Sequence, residues 1–183
     1  CKHPPQYLDN YQDEMEYLVT HEGRNNLIKN LVKDLEGNTL VLFNYIEKHG
    51  EPLFNLINNS ILAPRKCFFV HGGTDVEDRE QVRQITEEEN NAIIVASYGT
   101  FSTGINIKRL HNIVFASPSK SRIRNLQSIG RVLRRGEGKD VATLYDIADD
   151  IGGQNYTLKH LDQRVTIYNE EQFKYEVIRI SLK

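Results

Sequence analysis

Residues 92 to 106 read A-I-I-V-A-S-Y-G-T-F-S-T-G-I-N. Ala92 to Ala96 is a continuous apolar run with no polar residue at alternate positions. A half-solvated strand alternates. A strand covered on both faces does not, and such strands belong to parallel sheets flanked by helices. Ser97, Thr100, Ser102 and Thr103 follow directly, with Gly99 and Gly104 among them. Hydroxyls and glycines at a strand exit let backbone amides approach phosphate oxygens closely. In open α/β sheets, ligands gather at the carboxyl ends of the strands. A merely solvated connection is the plain alternative for this loop.

The same pattern recurs on either side. Thr39 to Phe43, Cys67 to Val70, Asn112 to Ala116 and Val141 to Ile147 are further apolar runs of strand length. Between them the period changes. Leu27, Ile28, Leu31, Val32 and Leu35 recur at helical spacing until Gly37, and residues 47–59 and a very polar stretch, 76–89, read as helices. Strands alternating with helices predict βαβ units and a mostly parallel sheet. After Gly152-Gly153, Leu158, Leu161, Val165 and Tyr168 predict a helix over 155–171, and alternation predicts a closing strand over about 174–182. Residues 1–22 are polar and aromatic, with Pro4-Pro5, and read as a linker or the tail of a preceding lobe. The expected division is therefore 1–22, a lobe over 23–150, and a helix-strand extension over 151–183 packed on it.

Bulk properties narrow the classes. The chain has 183 residues, 39% hydrophobic and 26% charged, which suits a globular domain with its own core. Its net charge of −2 gives no general attraction to nucleic acid, so any such contact must be local. The two cysteines, Cys1 and Cys67, make no disulfide framework and fit a reducing cytoplasm. No metal-ligand spacing, signal peptide or membrane-length apolar run is present. The first residue is Cys and not Met, so a fragment of a longer protein is expected.

Gln127 to Arg134 read Q-S-I-G-R-V-L-R. On a helix, Gln127, Arg131 and Arg134 project within roughly 60° of one another, while Leu126, Ile129 and Leu133 take the other side. Guanidiniums stay charged and offer a planar fork to phosphate oxygens. Gly130 weakens a helix, which suggests close backbone approach, although an amphipathic helix with solvated arginines is the bland alternative. A second strand exit, His71-Gly72-Gly73, leads into Asp75 to Arg79. Its glycines permit close approach and Arg79 suits a phosphodiester, or the segment is a simple turn. There is no G-x-x-x-x-G-K-[ST], since Gly138-Lys139 is followed by Asp140. No strand ends in a paired-acid Mg²⁺ motif. Arginines suited to phosphate without a phosphate cradle imply a cradle on another domain.

On these residues the chain resembles the second RecA-like lobe of superfamily 2 helicases, a three-layer α/β/α fold. Q-S-I-G-R-V-L-R resembles motif VI, I-I-V-A-S-Y-G-T-F-S-T-G-I-N-I motif V, L-V-L-F-N-Y motif IV, and V-H-G-G-T-D-V-E-D-R the nucleic-acid-contacting segment after it. The resemblance spans about 24–150 in order. It implies arginine fingers at Arg131 and Arg134 and nucleotide-cleft contacts at Gln127, Gly104 and Asn106. It also implies nucleic-acid backbone contacts at His71, Gly72, Arg79, Ser97 and Thr100. ATP with Mg²⁺ would be held mainly by an N-terminal lobe. Motif VI opens with Gln and not the His-Arg of RNA-directed relatives, which favours DNA. Asn106 stands where many relatives carry Asp. The tail N-Y-T-L-K-H-L-D-Q-R-V-T-I-Y-N-E-E-Q-F looks most like phage recombination and branch-migration helicases. That implies ATP-driven DNA unwinding or branch migration in recombination and repair. Two rivals share the architecture: the motor lobe of a restriction translocase, and a non-enzymatic α/β module whose arginines bind an acidic partner.

Overall fold

The computed structural model describes residues 1–101, 107, 109–118, 126, 142–152 and 155–183. Five strands form one sheet in the order β2-β3-β1-β4-β5: β1 Thr39–Phe43, β2 Cys67–Val70, β3 Ile93–Ser97, β4 Asn112–Phe115 and β5 Thr143–Asp146. Every pairing is parallel, with Val41 opposite Val95 on one side and Val114 on the other. The unbroken apolar runs thus mark strands covered on both faces, as parallel sheets require.

Among the described residues five helices flank the sheet or one another: α1 Tyr11–Thr20, α2 Glu22–Asp34, α3 Glu51–Asn58, α4 Asp75–Glu88 and α5 Tyr156–Glu170. On one face, Ile28 and Val32 of α2 and Leu53 and Ile57 of α3 pack on Val41, Phe43, Ile93, Val95 and Val114. On the other, Val82 and Ile85 of α4 and Tyr168 of α5 join Leu40, Leu42, Ile94, Ala96, Ile113 and Phe115. The result is a three-layer α/β/α lobe. Leu126, the residue before Gln127, is buried in the second cluster.

Local sequence explains several boundaries. Gly37, just past α2, sits at φ +88, a backbone region that favours glycine. The helix expected over 47–59 begins as a π-type turn at Ile46–Gly50 and becomes α-helical only at Glu51. Thr74 caps α4 by accepting from Glu77 N while the Glu77 carboxylate accepts from Thr74 N, a reciprocal cap.

The two ends of the chain differ from their sequence expectation. Residues 1–22 include α1, whose Met15, Leu18 and Val19 are fully buried. Glu14 is buried too, and its carboxylate accepts from Tyr156 N, Thr157 N, Thr157 Oγ1 and Asn155 Nδ2 at 2.7–2.9 Å. A side chain of α1 therefore caps α5. Near the other end, Gln172 at φ +58 turns the chain away from α5. Residues 174–182 form no strand. Their single bridge joins Ser181 to Lys2, and Val177 and Ile178 stay 70% exposed. Alternation makes a strand only where a neighbour supplies the ladder, and here only one residue of the N-terminal segment does.

Candidate nucleic-acid interface

Because β2 and β3 pair in parallel, with Val70 opposite Ala96, their exits lie side by side at the carboxyl edge. His71-Gly72-Gly73 leaves one strand, and the 3-10 turn Tyr98–Phe101 leaves the other. Of the nucleic-acid contacts expected from sequence, His71, Gly72, Ser97 and Thr100 are brought to this edge, and Arg79 follows on the second turn of α4.

Their states differ. Gly72 sits at φ +90, and a Cβ placed on it would meet nothing within 4 Å, so the backbone there faces open space. His71 is exposed, and its ring rests on Phe69 with centroids 4.1 Å apart. Arg79 and Ser97 are half-buried. Thr100 is fully buried, and its hydroxyl donates to Ser97 O at 2.8 Å. Hydrogen bonding within the turn thus engages the hydroxyl that the sequence suggested for nucleic acid.

Acidic side chains hold the start of α4. Asp78 accepts from Gly73 N at 3.2 Å and Glu77 from Thr74 N at 2.8 Å. A Cβ on Gly99 would collide with the Asp75 carboxylate, so any larger residue there would make the Asp75 side chain swing aside. On the outer face Arg83 pairs with Glu80 and Glu87. Among the described residues, the edge therefore offers an anion exposed backbone at Gly72 and, with Arg79, little positive charge.

The exits of β1, β4 and β5 are built differently. Ser117, fully buried after β4, accepts at Oγ from Asn44 N at 3.0 Å. The His49 Nδ1 lies in short hydrogen-bond contact with the same oxygen, and its Nε2 meets Asn25 Oδ1 at 3.0 Å. Tyr98 donates through its hydroxyl to Ser117 O at 2.7 Å. One residue away, Arg24 donates to Ala116 O at 2.6 Å and grips both oxygens of Asp149 at 2.9 and 3.0 Å. His3 Nε2 meets the same carboxylate at 2.8 Å.

Burial, with the Arg24 charge adding to it, pushes His49 down to about 3, so its ring is neutral. Burial alone would raise Asp149, but the Arg24 guanidinium and the His3 hydrogen bond outweigh it and hold the carboxyl well below its usual range. Sequence reading singled out none of Asn44, His49, Ser117, Asp149 or the side chain of Arg24. Their partners lie up to 146 positions away in the chain, beyond any local pattern.

Arg131, Arg134, Gln127, Gly104 and Asn106 lie outside the described residues. Among the described residues, no group of three His, Cys, Asp or Glu side chains could hold a metal ion. No helix there is long and apolar enough to cross a membrane.

An all-parallel sheet between two helix layers, with its loops gathered at one edge, makes this a RecA-like lobe of the kind found in helicase C-terminal halves. Residues 23–136 match the helicase conserved C-terminal domain, and the chain belongs to that family. It is 37% identical to the ATP-dependent DNA helicase uvsW of Enterobacteria phage T4 over 94% of its own length, spanning 37% of that relative. The crystal structure of T4 UvsW superposes with a TM-score of 0.79 at 34% identity, covering 98% of this chain and 40% of that one. In fold alone it also resembles the C-terminal domain of the DEAD-box protein Dbp5, with a TM-score of 0.57 at 12% identity and coverage of 98% and 88%.

Proposed function

We propose that this chain is the second motor lobe of an ATP-dependent DNA helicase that unwinds or branch-migrates DNA in recombination and repair. The observation that carries the reading is the 37% identity, across 94% of the chain, to a phage ATP-dependent DNA helicase. The preceding lobe of the same protein would hold most of ATP and its Mg²⁺. The donors proposed for the nucleotide on this chain are the Gln127 amide, the backbone and side chain around Gly104 and Asn106, and the guanidiniums of Arg131 and Arg134. These suit phosphate oxygens and not a metal ion. Arg131 and Arg134 would stabilise charge that develops as the γ-phosphoryl leaves.

DNA would cross the carboxyl edge at His71, Gly72 and the Ser97–Thr100 turn, with Arg79 beside it. With so few cations there, phosphate contacts and backbone amides would position the strand without reading its sequence. The unpaired state of Cys1 and Cys67 supports a cytoplasmic setting.

The test is made in the complete protein. Arg131→Ala or Arg134→Ala should lower ATP turnover on the order of 10³-fold, while nucleotide affinity changes far less, because the loss falls in the transition state. Near-normal turnover in both variants would overturn the assignment.

A further inference from the structure

Beneath the exits of β1, β3 and β4, buried polar groups bond to one another. Ser117 sits where they converge. Its hydroxyl oxygen accepts from Asn44 N and meets His49 Nδ1. Its carbonyl accepts from the Tyr98 hydroxyl at 2.7 Å. His49 is neutral and has one ring proton. Asn25 Oδ1 can only accept, so that proton belongs on Nε2, 3.0 Å from Asn25 Oδ1. Nδ1 is then an acceptor, and the Ser117 hydroxyl must donate to it. The hydroxyl rotor is thus fixed with its lone pairs directed at Asn44 N. Every bond in the set has a single allowed direction.

We infer that Ser117 and Tyr98, oriented through His49, are positioning residues that fix the height of the Ser97–Thr100 turn relative to the β1 exit at Asn44, and thereby set how strongly the carboxyl edge engages DNA. The inference rests on the reading that this turn faces DNA. Tyr98 lies inside the turn, but its side chain points down into the fold. It is 5% exposed, and its ring meets Phe115 edge-on at 5.7 Å. Moving the hydroxyl off Ser117 O would let the turn rise or tilt while leaving its own Thr100-to-Ser97 bond intact. The groups that touch DNA would all remain, but their alignment would loosen. A loss of this kind appears in the DNA concentration needed for activity and not in the rate at saturation. Misplacement of the order of an ångström is enough to matter.

The experiment uses the complete protein and measures ATP hydrolysis against concentration of a single-stranded oligonucleotide. Tyr98→Phe keeps the ring and removes the hydroxyl. Ser117→Ala removes the hydroxyl rotor. Each should raise the DNA concentration for half-maximal stimulation by about three- to tenfold, the loss of one hydrogen bond's worth of alignment, with saturated turnover within about twofold of wild type. Ser117→Thr, which restores a hydroxyl, should recover part of the loss relative to Ser117→Ala. Thermal melts taken alongside identify fully folded protein at the assay temperature. Lower melting temperatures with an unchanged half-maximal DNA concentration would overturn the inference and leave the cluster a structural one. If Ser117→Ala does not fold, Tyr98→Phe alone decides the outcome. Wild-type hydrolysis that DNA does not stimulate would instead overturn the DNA reading itself, so the two failures are distinct.

Discussion

The carboxyl edge of this sheet has two halves built on opposite principles. At the exit of β2, beside the turn that leaves β3, groups stay uncovered: the backbone at Gly72 faces open space and His71 is exposed. At the exits of β1, β4 and β5, polar groups turn inward and satisfy one another: Arg24, Asp149, His3, His49 and Ser117 are all 0–2% exposed. The first half leaves backbone and side chain uncovered at Gly72 and His71. The second uses its polar groups to hold the loops in place. A site needs both, since exposed donors bind well only if the structure beneath them does not move.

The contrast fails most visibly if the buried half is dispensable. Asp149 accepts two hydrogen bonds from Arg24 and faces His3. Asp149→Ala leaves a buried guanidinium without its counter-charge and should destabilise the lobe by about 3–5 kcal/mol, a typical cost of breaking a buried pair from one side. Denaturant unfolding measures it. A loss below about 1 kcal/mol would mean that water replaces the carboxylate and that this half is not rigid.

Acid should act on the same half. His49 is held neutral in the fold, its ring proton uptake lowered from 6.5 to about 3. The unfolded chain binds that proton below about pH 6.5 and the folded lobe does not. The contribution is therefore fully present above pH 6.5 and is lost as pH falls toward 3, by about 1.4 kcal/mol per pH unit. Asp149, also depressed, adds a loss of the same sign below its ordinary value of 3.8. Unfolding free energy should drop by about 2 kcal/mol between pH 6.5 and 4.5, and His49→Gln should flatten that segment of the curve. An unchanged slope in His49→Gln would place the loss in other groups.

The smallest effect tests the exposed half. Arg79→Ala in the complete protein should weaken binding to unrelated DNA sequences about equally and lower the slope of log affinity against log salt by about one. The DNA-free ATPase rate should change little. An unchanged slope removes Arg79 from the DNA path.

The two halves were also unequally legible in the sequence. Strand runs such as Leu40–Phe43 and Ile93–Ala96 show themselves because complete burial removes alternation. The glycines of His71-Gly72-Gly73 announce a turn because φ +90 at Gly72 is a glycine conformation. The strands and the Gly72 turn were therefore readable from local sequence, whereas the burial of Thr100 and its bond to Ser97 O were not. Nor was the buried half, because charged residues are exposed by default. Arg24 and Asp149 become core residues only through each other, 125 positions apart. The same blindness hid α1. A helix written Y-Q-D-E-M-E-Y-L-V-T looks polar until Glu14 is seen to cap α5. In the tail the error ran the other way: alternation suggested a strand with no sheet to join.

The short contact between Lys2 and the tail also has a mechanical side. Lys2 N donates to Ile180 O at 2.7 Å, and Leu182 N donates to Lys2 O at 2.8 Å. Lys2 is bridged on its other side to Asp150, with both neighbours parallel to it. Tension drawing residue 1 and residue 183 apart would run along these bonds' shared axis of sliding, so they carry the load together instead of opening one by one. Across this seam the lobe is therefore stiff to a lengthwise pull and weak to a sideways one.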